Sequence, residues 1–196
     1  MNKNILKDQI NKYIKESNSV SLKTINISDE KIIEAAFLLS ETLKSKNKIM
    51  ICGNGGSSSD ASHLAAEFTN KFSNNLVRSG LAAISLSTDS TFITAHSNDF
   101  SFDTIFSRQI ESLGVENDIL LVISTSGKSK NILEGLKQAS QMGIKSIALT
   151  GNNNYLNQLA SLTINIESNN TQHIQESMLK IEHLLIHFVE QIIYKT

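Results

Sequence analysis

The sequence predicts an α/β fold of three layers, with helices on both faces of a five-stranded parallel sheet. Short apolar runs recur at 48–52, 81–86, 118–123, 145–149 and 162–166. Most are rich in Ile, Leu, Val or Ala without alternation, as strands covered on both faces are. Helical patterns begin at 57 and recur at 91–95, 103–113, 131–141 and 156–160. Strand and helix therefore alternate, which implies right-handed crossovers. The first run also passes through a glycine-rich turn straight into a helix, an arrangement that favours anions.

Length and composition bound the rest. The chain has 196 residues, enough for one domain over 1–196, with N-terminal helices at 1–46 and an α/β core with a C-terminal helix at 47–196. A net charge of −1 gives no overall basic field, so neither nucleic acid nor a membrane is expected as partner. Cys52 is the lone cysteine and ends a strand, which suits a core residue in a cytosolic protein. The N-terminus is too charged for a signal peptide, and the cytoplasm is the expected compartment.

In chain order, Leu6, Ile10, Tyr13 and Ile14 make one amphipathic helix at 3–16. A polar spacer at 16–26 separates it from a second, capped by Ser28, with Ile32, Ile33, Ala36, Phe37, Leu39 and Leu43 on its apolar face. Two such faces ahead of the sheet suggest packing against another subunit. A long final helix is expected over 171–194.

The stretch at 51–72 organises the chain. Gly53-Asn54-Gly55-Gly56 allows a ligand close to backbone amides, and Ser57, Ser58 and Ser59 add hydroxyl donors. A serine-capped turn alone would be unremarkable. The next two turns sharpen it, because His63 and Glu67 stand at i and i+4 on one helix face. Further loops follow strands at 87–91 and 124–130, the second being Ser124-Thr125-Ser126-Gly127-Lys128-Ser129-Lys130. Ligands of parallel sheets bind where such loops gather, so these residues suggest a phosphorylated substrate.

Four ordered blocks resemble the sugar isomerase (SIS) family, specifically its phosphoheptose isomerase branch. They are GNGGSSSDASHLAAEF, SLSTDSTFITAHSNDFSFDTIFSRQIESLG, ISTSGKSKNILEGL and IQESMLKIEH, spanning about residues 30–190. The resemblance implies a flavodoxin-like SIS fold and conversion of sedoheptulose 7-phosphate to a D-glycero-D-manno-heptose 7-phosphate, the first step towards ADP-heptose. It also implies a cytoplasmic homotetramer with active sites between subunits, and one zinc ion per subunit. By position, Asn54, Gly55, Gly56, Ser57, Asn98 and Asp99 correspond to substrate contacts, and Ser124, Thr125, Ser126 and Ser129 to the phosphate loop. His63, Glu67, Gln175 and His183 correspond to the metal site, with Gln175 and Glu67 also substrate-binding and Glu67 with His183 as the acid/base pair. Met178 stands where the family usually has a histidine, and His96-Ser97 where it has a small pair.

Ketose–aldose isomerisation needs a base for a carbon-bound proton and a donor for the developing oxyanion; carboxylate and imidazole suit these tasks. Gln175 and His183 are eight residues apart, about 12 Å along a helix, so either they serve different parts of a site or one is lent to a neighbouring subunit. The rival reading is a non-catalytic SIS scaffold binding a replication initiator. Related regulators tend to lack the later histidine, so the presence of His183 favours the enzyme.

Overall fold

In the computed structural model, which describes residues 2–152 and 155–194, the five apolar runs form one parallel sheet. The strands are β1 (Ile49–Gly53), β2 (Ala83–Ser85), β3 (Ile119–Ser124), β4 (Lys145–Gly151) and β5 (Leu162–Ile166), in spatial order β2-β1-β3-β4-β5. The helices are α1 (Lys3–Lys44), α2 (Gly56–Thr69), α3 (Ser90–Asp99), α4 (Ile105–Leu113), α5 (Lys130–Gln141) and α6 (Thr171–Tyr194). The helical stretch expected at 156–160 is only a 3-10 turn, Leu156–Gln158.

Alternation of side chains along each strand divides the core in two. Ile49, Ile51, Leu121, Ile123 and Leu149 join Ala35 of α1, Leu64 of α2 and Ile181 of α6. Met50, Cys52, Leu120, Val122 and Ala148 join Phe106 and Ile110 of α4 and Leu136 of α5. Apolar runs without alternation are thus explained: both faces of the sheet are dry. Cys52 is buried, and burial pushes its thiol pKa up, away from the reactive thiolate.

The N-terminal expectation is corrected. There are not two helices with a spacer but one 42-residue helix, and Ser28 lies inside it rather than capping a second. The polar spacer is a buried seam against α6. Ser21 Oγ donates to Ser17 O at 3.2 Å and pairs with Ser177 Oγ at 2.9 Å. Ser17 Oγ and Tyr13 OH donate to Glu176, and Lys180 Nζ donates to Ser21 Oγ at 2.9 Å. Hydroxyls satisfied in this way can be buried without penalty, which apolar periodicity does not detect. Leu6, Ile10, Tyr13 and Ile14 are exposed on the first turns of α1. Among the described residues no helix is long and apolar enough to cross a membrane.

The edge of the sheet where β1 and β3 begin is locked by Asp118. Its side chain is buried and accepts from Lys48 N at 2.9 Å, Lys48 Nζ at 2.6 Å, Val115 N at 2.9 Å and Asn47 Nδ2 at 3.3 Å. Burial raises its pKa, but these donors outweigh it and hold the carboxyl below its ordinary value. A carboxyl with a lowered folded pKa contributes stability above its unfolded value of about 3.9, and that contribution is lost as pH falls through the folded value. Asp118→Asn is therefore expected to cost about 2 kcal/mol at pH 7, with the difference shrinking below about pH 4, as read by denaturant unfolding across pH.

Candidate active site

The strand order places a topological switch at β1 and β3: the chain leaves β1 for β2 on one side and β3 for β4 on the other. Clefts form outside the carboxyl ends of such strands. The register sets Gly53 beside Ile123, so the turn at Asn54–Gly56 and the loop at Ser124–Ser129 leave the sheet side by side. The two are joined directly. Asn54 Nδ2 donates to Asn131 Oδ1 at 2.8 Å, and Asn131 Nδ2 returns a bond to Asn54 Oδ1 at 2.9 Å.

Gly55, the N-cap of α2, has φ of 57°, a region side chains rarely adopt, and a Cβ there would meet nothing. Gly56 is required for a different reason: a Cβ would press on the Gln175 side-chain amide. Ser57 is buried, and Ser58 Oγ turns back to Gly55 O at 2.7 Å, so that hydroxyl is committed to its own helix. In the second loop, Gly127 turns with φ of 63°, its N–H donating to Ser124 Oγ at 3.2 Å. Ser126 Oγ accepts from Lys128 N at 3.3 Å, and Thr125 O accepts from Gly151 N at 3.2 Å. The Ser124 hydroxyl, accepting in this way, still has an O–H to give a ligand. Ser129 caps α5 without a side-chain bond to that helix.

Helix α6 runs beside α2 in the same direction, and the contacts step along both. Gln175 Nε2 donates to Asp60 Oδ2 at 2.9 Å. Further along, His183 meets the His63 ring edge-on, centroids 5.4 Å apart and planes at 87°. His63 Nε2 in turn lies 3.1 Å from Glu67 Oε1. His63, Glu67 and His183 thus gather within one chain. Gln175 faces Asp60 and Gly56, a turn earlier on α2. Asn98 and Asp99 lie exposed in the last turn of α3, with Asn98 Nδ2 bonded to Asp99 Oδ1 at 2.9 Å.

Residues that sequence reasoning passed over belong here too. Asp60 shares the α2 face of His63 and Glu67 at i, i+3 and i+7, a signal present in the sequence; burial raises its pKa, against Gln175 and His63, which lower it. Asn131 had no local signal. Glu182 is wholly buried, and neither carboxyl oxygen has a hydrogen-bond partner. Burial first, and Asp60 second, push its pKa up to about 8. His187, by contrast, pairs with Gln191 at 2.8 Å, and His96 stacks between Phe92 and Phe100 while bonding Thr104 at 2.9 Å.

Two imidazoles, a carboxylate and an amide oxygen are donors suited to a zinc-like ion. The 3.1 Å between His63 Nε2 and Glu67 Oε1 is near the ligand–ligand edge of a tetrahedron with bonds of about 2.0–2.1 Å. Asp60 takes a Gln175 amide N–H, and the Gln175 carbonyl oxygen lies beside Gly56. Among the described residues, however, no three His, Cys, Asp or Glu side chains converge tightly enough in one protomer to ligate an ion.

A switch-point cleft of this kind defines a class, and comparison agrees: the SIS domain family matches residues 12–151. The phosphoheptose isomerase of Helicobacter pylori strain Shi470 is 42% identical over 170 residues, covering 86% of this chain and 88% of the relative. That of Aquifex aeolicus is 38% identical, covering 95% and 97%. Among solved structures, phosphoheptose isomerases from Neisseria gonorrhoeae and Francisella tularensis superpose with TM-scores of 0.87 and 0.88 at 34% and 36% identity. Those superpositions cover 95% and 94% of this chain, and 99% and 97% of the solved chains. The chain belongs to the phosphoheptose isomerase family of SIS-domain proteins. These relatives lend no support to the scaffold reading.

Gly55 and Gly56 give opposed expectations. Gly55→Ala is expected to cost about 1–2 kcal/mol in unfolding experiments, from backbone strain alone. Gly56→Ala is expected to displace the flexible Gln175 amide, lowering turnover with a much smaller change in melting temperature.

Proposed function

We propose that this protein converts sedoheptulose 7-phosphate to D-glycero-D-manno-heptose 7-phosphate. The observation that carries the reading is His63, which touches Glu67 on one side and His183 on the other, on the helix that follows the first loop of the switch point. In this mechanism the phosphate is gripped by Ser124, Thr125, Ser126 and Ser129, and the sugar lies along Asn54, Gly55, Gly56 and Ser57. Asn98, Asp99 and Gln175 hold sugar hydroxyls. Glu67 takes a proton from C1 of the ketose. As the enediol forms, His183 gives a proton to the C2 oxygen. Glu67 then returns its proton to C2, and His183 recovers one from the C1 hydroxyl as the aldehyde forms. The implied metal is zinc: His63, Glu67, Gln175 and His183 would hold it, and when bound it would supply Lewis-acid polarisation of the carbonyl and hydroxyl oxygens.

The same reading makes the protein a cytoplasmic homotetramer with active sites between subunits, feeding ADP-heptose synthesis for lipopolysaccharide or other heptose glycans. Two observations support assembly. Leu6, Ile10, Tyr13 and Ile14 form an exposed apolar stripe on α1. A second apolar hollow is lined by Ile33, Phe37, Phe188 and Ile192.

Turnover of sedoheptulose 7-phosphate with and without chelator tests this directly. Turnover is expected, falling by about tenfold or more on metal removal and returning with zinc; no turnover by the zinc-loaded protein would defeat the reading. Glu67→Gln and His183→Ala are each expected to lower kcat by about 10²–10⁴-fold. Mixed and reassembled, the two inactive variants are expected to stay inactive, because Glu67 and His183 meet through His63 within one chain; recovered activity would instead place the two in a site shared between subunits.

A further inference from the structure

Arg78 lies between α2 and β2, yet its side chain has 0% exposure, and that of its partner Glu190 has 3%. A charge so deeply buried persists only if its donors are used. Arg78 Nε donates to Glu190 Oε1 at 2.7 Å, Nη1 to Phe68 O at 2.9 Å and Ser79 O at 3.1 Å, and Nη2 to Glu67 O at 2.8 Å. The Glu67 and Phe68 carbonyls belong to the last turn of α2, which lacks helical partners and carries the negative end of the dipole. Glu190 stands seven residues beyond His183, two turns along the same flank of α6. The same Glu190 oxygen accepts from Phe72 N at 3.3 Å, and the Phe72 ring lies 5.6 Å from the His183 ring.

We propose that the Arg78–Glu190 pair is a positioning device for the acid/base pair: one guanidinium fixes the turn that carries Glu67, the flank of α6 that carries His183, and the phenyl ring that backs His183. It rests on the roles given above to Glu67 and His183. Arg78 touches no reacting atom in that mechanism; it acts by holding α2 and α6 at one separation. The His183 imidazole is thereby confined between the His63 and Phe72 rings. Only arginine suits the position, because lysine lacks the fork that reaches a carboxylate and two carbonyls together.

The test compares Arg78→Lys and the milder Glu190→Gln with Asp118→Asn, a buried pair with Lys48 where β1 and β3 begin, outside the α2–α6 contact. For Arg78→Lys, kcat is expected to fall by about tenfold or more, with KM for the sugar phosphate changed by less than about threefold, since the Ser124–Ser129 loop is untouched. Glu190→Gln should show the same pattern to a smaller degree, and Asp118→Asn should lower melting temperature while leaving kcat intact. Side-chain ¹⁵N spectra of the five histidines give a readout independent of turnover. The His63 and His183 signals should move in both clamp variants, while His96, packed on the other face of the sheet, stays in place. Wild-type kcat in folded Arg78→Lys, or unshifted His63 and His183 signals in Glu190→Gln, would overturn the proposal. So would an equal loss of kcat in Asp118→Asn. If the wild type itself turned nothing over, the isomerase reading would fail, while the imidazole spectra would still decide whether the clamp sets His63 against His183.

Discussion

The parallel pairing of β1 with β3 is the constraint on which the site depends. With Gly53 beside Ile123, two loops that are about seventy residues apart in sequence leave the sheet as neighbours, and Asn54 and Asn131 close the gap with a reciprocal amide pair. Neither loop makes a phosphate pocket alone. The first offers backbone close to a helix start, the second a hydroxyl, Ser124, that accepts internally and still has a proton to give. Moving β1 by one residue against β3 would turn Ile49 and Ile51 to the wrong core and part the loops.

The second constraint is the alignment of α2 with α6. Their contacts read as rungs, from Gln175 on Asp60, through His183 on His63, to Glu190 on the Arg78 that caps α2. The rungs are polar and directional, whereas the apolar cluster beneath them, which includes Leu64 and Ile181, holds the layers together without specifying which side chain meets which. Glu182, buried beside this ladder without a partner, adds an unusual element: an acid kept largely protonated at neutral pH within reach of Asp60's charge.

Much of this was legible in the sequence because the signals were local. The limits of β5 and α6, and the pairing of His63 with Glu67, follow from runs and spacings within a few residues. His183 had no such signal and entered only through the resemblance of its block. What stayed hidden was long-range or chemically disguised. Asn131, Arg78 and Glu190 act on partners tens of residues away, so no window of sequence contains the pair. Ser17 and Ser21 looked like a spacer because a buried hydroxyl and an exposed one have the same polarity on paper. Only the partners supplied by α6 distinguish them.

That hydroxyl seam has a consequence for α1. A greasy joint is held by volume and tolerates small sliding; one made of Ser21, Ser177, Glu176 and Lys180 is held by direction. Trimming those oxygens opens no sizeable void, so the long helix would keep its berth yet lose the catch that determines how far along its neighbour it sits.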